Sequence, residues 1–300
     1  LVLITRNYGV SDPILNMGIP ELLLERGYKV ITLSHLPGHA LDIADEYENL
    51  YYPFGQHILS GAKLIAHHPN LYAVYLTNHG CGPDTMLSHL FKQEMGDKPY
   101  LQIEVDEHFS NVGVITRIEA FLNSLNHRPA EVLPKDFVLE QVDIRPCHLP
   151  AVPEKDFPLW LPPLGEYTAS LTGYFRAQGV DAHALPHLSA HALSLGRAET
   201  GAKEYLPFPA LLGGILAQQE ADPAPAQFLI PQTQGAEADG QYARVIRAVL
   251  DRRKEQNAQL ISPMLETLPE MAQNCDALFC ALLAGDILYA APADKRADIS

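Results

Sequence analysis

Leu71-Tyr-Ala-Val-Tyr-Leu-Thr-Asn-His-Gly-Cys-Gly-Pro-Asp-Thr-Met-Leu-Ser-His-Leu-Phe-Lys-Gln-Glu-Met95 decides the fold. Leu71 to Thr77 is an apolar run of strand length and reads as a buried strand. A polar, glycine-rich loop follows, and Asp84 to Met95 reads as a helix. Pro83 suits the first helical position, where its missing N–H costs nothing. Tyr100 to Val105 is the next strand. A strand, a helix and a second strand in this order imply a crossover and a parallel sheet.

Working outward, the same rhythm extends in both directions. Leu1 to Thr5 reads as a strand, Ile19 to Arg26 as a helix closed by Gly27, Tyr28 to Leu33 as a strand and Gln56 to His67 as a helix. Beyond Val105, Val114, Ile118, Phe121, Leu122 and Leu125 recur at helical spacing. Between Arg128 and Phe157 the composition shifts to scattered prolines without periodicity, the mark of a linker or of an extended crossing segment. The rhythm then resumes: strands at Leu159–Leu161, 181–185, 227–231 and 259–262, and helices at 167–178, 205–218 and around Tyr242 to Leu250. The run from Ala277 to Ala291 is broken by Asp286, is too short to span a bilayer, and reads as a buried helix. The expected architecture is α/β, with two Rossmann-like three-layer domains whose small parallel sheets face a cleft. Residues 1–127 form the first domain, 128–157 a Pro-rich linker and 158–300 the second domain.

Bulk properties narrow the function classes. Three hundred residues divide naturally into two domains, and 47% apolar with 19% charged residues describes a globular chain. Twenty-one basic against 36 acidic residues give a net charge of −15, a field that repels nucleic acid and anionic membranes. Cys81, Cys147, Cys275 and Cys280 are few and irregularly spaced, with no secretory signal before them. A reducing, cytoplasmic setting is therefore expected. The chain opens directly on a strand without an initiator Met, which reads as a piece of a longer polypeptide.

Ligands of open parallel sheets bind beyond the carboxyl ends of the strands. Three loops there are rich in glycine and polar residues. In the first, His79, Gly80, Cys81, Gly82 and Asp84 place a thiol at a helix N-terminus, suited to a metal ligand or a nucleophile. Its plainer reading is a tight turn with a half-buried cysteine. The second loop, Gly196 to Pro207, carries Lys203 and Glu204, and the third, Gln232 to Tyr242, carries Glu237 and Gln241. Each reads equally as a binding loop or as a solvated turn before a helix cap. His183, His187 and His191 are four apart, but Pro186 interrupts any helix there, so they read as incidental loop histidines. Asp106, Glu107 and His108 could ligate a cation, though a solvated strand end accounts for them more simply. No P-loop, dinucleotide fingerprint or nucleophile-elbow serine is present.

Tyr72 to Leu125, with Asn-His-Gly-Cys-Gly-Pro-Asp, Pro-Tyr-Leu-Gln-Ile-Glu-Val-Asp and Thr-Arg-Ile-Glu-Ala-Phe-Leu, resembles the 2-hydroxyacyl-CoA dehydratase superfamily, and within it the CoA-substrate-specific enzyme activases and activase-related large proteins. Gly196 to Gly213 and the segment from Gln232 to Arg247 resemble the later region of these proteins. The resemblance implies iron–sulfur-dependent electron transfer to an acyl-CoA-type substrate, driven by an ATPase activase module or passed through a dehydratase component. It makes Cys81 a cluster ligand and matches Asp106 and Arg117 to motif positions. Related sequences place two further cysteines where this chain has Tyr205 and Glu237. A 4Fe-4S cluster would then draw on Glu237 or a histidine, or on two chains paired as a homodimer. The alternative reading is a non-catalytic interaction or scaffold domain of a multidomain activase that has lost the cluster, and a third is a small-molecule binding domain. The three differ in what they expect: iron bound through Cys81, an exposed apolar patch, or a deep apolar pocket.

Overall fold

The computed structural model describes residues 1–47, 49–50, 52–106, 111–128, 130–133, 148–201, 204–233, 238–264 and 275–291. The chain divides into two compact units, Leu1–Cys147 and His148–Ser300, each a mixed α/β unit on a four-stranded parallel sheet.

In the first unit the strands are Val2–Ile4 (β1), Ile31–Thr32 (β2), Ala73–Asn78 (β3) and Leu101–Val105 (β4), in the spatial order β2-β1-β3-β4. The chain steps from β1 out to β2 and then returns past β1 to β3. Connections therefore leave the carboxyl ends of β1 and β3 in opposite directions, which opens a crevice between them. Alternation along the strands divides the core. Leu3, Val74, Leu76 and Ile103 meet Ile19 and Leu23 of Ile19–Glu25 (α2) and Ile118 of Asn111–Asn126 (α5). On the opposite face Tyr75 stacks on Phe91 of Gly82–Met95 (α4), and Ile4 lies against Gly61 of Pro53–His67 (α3). A five-residue helix, Asn7–Ser11 (α1), follows β1.

The expected strand at Tyr28 to Leu33 keeps only two ladder residues. Leu33 opens a 3₁₀ turn instead, and its side chain fills the space that a Cβ on Gly61 would need, 2.2 Å from Leu33 Cδ1. Filling the core beneath α3 wins over extending an edge strand.

The second unit repeats the wiring. Leu159–Leu161 (β5), Ala182–Ala184 (β6), Ala226–Leu229 (β7) and Ala258–Ile261 (β8) are all parallel, in the order β6-β5-β7-β8. Leu159, Leu161, Leu229 and Ile261 face Tyr167–Ala177 (α6) and Cys275–Ala290 (α10). Ala190–Ala198 (α7), Pro207–Ala221 (α8) and Tyr242–Arg253 (α9) complete the described helices.

Two expectations change here. The loop expected from Gly196 begins inside α7, which Ser189 caps by accepting from the Ala192 N–H at 3.0 Å. Gly196 belongs to a close helix crossing: its Cβ would lie 1.8 Å from the Pro209 carbonyl oxygen, and one on Gly213 would lie 1.9 Å from that of Ala192. The helix expected to be buried at Ala277–Ala291 buries Leu278, Gly285 and Leu288, while Phe279, Leu283 and Ile287, four apart, are 67%, 46% and 52% exposed. The last part of the Pro-rich stretch is also tied to the second sheet. Ser262 N donates to Pro150 O at 2.6 Å, and the fully buried Gln227 amide bonds Glu154 N, Glu154 O and Phe157 O.

Candidate functional site

The crevice at the carboxyl ends of β1 and β3 gathers a connected set of side chains. β3 ends at Asn78, and the chain turns through Gly80, whose φ of +66° is a left-handed conformation that favours glycine. Cys81 then caps α4, with Pro83 in the first helical turn. Asp84, one turn in, is 3% exposed and accepts three sets of donors. The Asn78 backbone N–H and side-chain amide reach Oδ2 at 2.8 and 3.1 Å, and Arg6, just past β1, reaches Oδ1 at 2.8 Å. Three donors on one buried carboxylate fix the loop, as a buried charge requires.

Arg6 also controls the thiol. Its Nη2 lies 2.7 Å from Cys81 Sγ, and its guanidinium stacks over Phe54 with 4.4 Å to the ring centroid. The half-buried sulfur thus faces a cation and the N-terminal end of a fourteen-residue helix. Below it Tyr75 is fully buried, and among the described residues its hydroxyl has no hydrogen-bond partner. Burial, then the neighbouring Asp84 carboxylate, hold that phenol well above the ordinary tyrosine range, and Arg6 opposes the shift. His79 points outward and pairs with Glu104 at 3.1 Å.

Comparison of the sequence with known protein families and with curated proteins finds no match. The site therefore rests on its own geometry.

Of the residues singled out in the sequence, the fold brings Cys81, Gly82 and Asp84 together beside Arg6, with Gly80 supplying the turn. Arg117 lies apart, donating from α5 to the Gln102 carbonyl at 2.5 Å, and Asp106 follows the end of β4. Glu204 accepts from the Gly201 N–H at 2.9 Å within its own loop, and Gln241 is buried at the N-cap of α9. Lys203 and Glu237 lie outside the described residues, as do Glu107, His108 and Cys147. The three spaced histidines do not converge: His183 sits on β6 and pairs with Asp181, His187 follows the strand, and His191 on α7 pairs with Glu220. Sequence reasoning passed over Arg6. Its signal was position alone, the first charged residue after the first strand.

An iron–sulfur cluster needs several thiolates converging on one centre. Among the described residues no group of three or more Cys, His, Asp or Glu side chains converges to hold a metal. Cys275 and Cys280 are exposed on α10, in the other unit. The guanidinium against Sγ occupies space a metal ion would need and opposes its charge. The described donors around Cys81 therefore do not fit a cluster.

The second unit carries a different feature on the α6–α10 side of its sheet. A cavity of about 400 Å³ is lined by leucine, proline and aromatic side chains, with Lys155, Gln178 and Asp239 among its few polar residues. Sequence reasoning missed this cavity, because its walls come from segments far apart along the chain.

Proposed function

We propose that this chain is a non-catalytic interaction and scaffold component resembling the multidomain CoA enzyme activases, built on two Rossmann-like units. The Arg6 guanidinium seated against Cys81 Sγ carries this reading. It makes the thiol part of a clamp between β1 and α4, in the place where a ligand thiolate of the 2-hydroxyacyl-CoA dehydratase kind would stand. The apolar stripe of Phe279, Leu283 and Ile287 on α10 supports it, since contiguous exposed apolar side chains mark interaction surfaces. The partner in this reading is an ATPase activase module or a dehydratase component, in the cytoplasm. Among the described residues no helix is long and apolar enough to cross a membrane.

The test is anaerobic expression, or reconstitution with ferrous iron and sulfide, followed by iron counting and a visible spectrum. The scaffold reading expects colourless protein without stoichiometric iron. About four irons per chain or per dimer, lost on Cys81→Ala, would overturn it in favour of electron transfer to an acyl-CoA-type substrate.

A further inference from the structure

The cavity of the second unit lies along α6. Tyr167, Leu171, Tyr174, Phe175 and Gln178 line it. These positions recur along one face of α6, so the channel follows the helix for about 16 Å at 1.5 Å per residue. Leu278 and Leu282 of α10, one turn apart, form a wall, and Leu229 of β7 forms part of the floor.

The remaining side is the segment from Ala151 to Lys155, held down by the buried Gln227 amide. The wall is thus a fixed part of the fold.

The two ends differ in charge. Asp239 stands at the carboxyl edge of the sheet, where both of its oxygens accept from the Thr233 hydroxyl at 3.1 and 3.2 Å. Lys155 stands at the amino edge, just before β5. The ammonium lies beside Gly179, where a Cβ would be 3.6 Å from Lys155 Nζ. Among the described residues Lys155 makes no ion pair, although the chain carries 36 acidic side chains.

We propose that this channel binds a medium-chain alkyl carboxylate, its hydrocarbon tail along α6 and its carboxylate at Lys155. A cavity of this size with an apolar lining and one cation at its end matches the general make-up of small-molecule sites. The alkyl chain displaces water from leucine and phenylalanine surface. The ammonium selects the anion, and Asp239 disfavours a second carboxylate at the far end. This inference is independent of the chemistry at Cys81.

Isothermal titration of the whole chain with decanoate, decanol and decanedioate tests it. Decanoate is expected to bind one per chain, more tightly than decanedioate. Lys155→Gln, at an exposed position, is expected to weaken decanoate roughly tenfold, the scale of one charge-assisted contact, and to leave decanol unchanged. Leu282→Trp fills the channel and is expected to abolish binding of both. Should that variant lose its circular-dichroism spectrum, Val152→Trp on the exposed segment fills the same space. Absence of saturable decanoate binding overturns the proposal. So does binding that survives channel filling, or an equal loss of decanoate and decanol on Lys155→Gln.

Discussion

Lys63 is a lysine in the wrong place for its charge, and replacing it should reveal how the first unit is held. It lies on α3 with a side chain only 6% exposed, its Nζ 2.8 Å from Glu46 Oε2 and 2.8 Å from Glu94 Oε2. The Tyr47 hydroxyl donates to the other Glu94 oxygen. One ammonium therefore bridges two carboxylates that are themselves 6% and 11% exposed. In Lys63→Met the stem keeps its packing and the cation is lost. The two carboxylate oxygens it bridged lie at most about 5.6 Å apart, and their repulsion of about 3 kcal/mol at an effective dielectric of about 20 is then no longer offset by the cation. Removing one partner of a buried ion pair costs about 3–5 kcal/mol by mutational precedent. The assay is urea unfolding followed by far-ultraviolet circular dichroism. Fluorescence of Trp160, the single tryptophan, follows the second unit separately. The expected loss at pH 7 is about 3–5 kcal/mol. Adding Glu46→Gln should restore part of it. A loss under about 1 kcal/mol, or no recovery on adding Glu46→Gln, would overturn this account.

Arg6→Met should cost about 2–4 kcal/mol by the same unfolding assay, because Asp84 stays buried with only the Asn78 donors. Gly213→Ala should cost at least about 2 kcal/mol, since its Cβ would meet the Ala192 carbonyl oxygen at 1.9 Å. Gly113→Ala, in α5 with nothing within 4 Å, should gain about 0.5–1 kcal/mol. Glu199 ties the end of α7 to Arg252 and Arg253 at 2.7 and 2.9 Å. Burial pushes its carboxyl up, but the two arginine hydrogen bonds and charges outweigh that and hold it below its ordinary value of 4.5. Its contribution is thus present above that value and lost as pH falls through the lower folded value. Glu199→Gln should cost about 1 kcal/mol at pH 7, and denaturation curves of variant and parent should converge in acid below pH 4.5.

The alternation of strands and helices was readable because buried parallel strands are short apolar runs and their crossover helices are amphipathic. Leu71 to Met95 carries both signals in one stretch, and the fold follows it closely. The helix at Ala190–Ala198 was hidden by Pro186 and by the three spaced histidines, although Ser189 before Ala-His-Ala-Leu is an ordinary cap signal. Gly196 and Gly213 looked like loop and helix glycines because the contact that explains them joins two helices. The C-terminal helix is apolar on all sides, so its pattern could not say which side α6 covers. At the site, Cys81 and Asp84 stood out through local sequence. Arg6 is 78 positions from Asp84, and no local pattern announces that pairing. The channel along α6 was illegible for the same reason, with walls scattered from Ala151 to Leu282.

Among the described residues each sheet ends in two edge strands, and their lengths bear on self-association. β2 offers two residues, β6 three and β8 four, too few to template a neighbouring chain strongly. β4, with five, is the longest edge, and Glu104 stands within it beside His79. A second copy docking there in register would set Glu104 against Glu104, like charges directly opposed across a ladder. Fibre growth along this edge is therefore resisted at its first step.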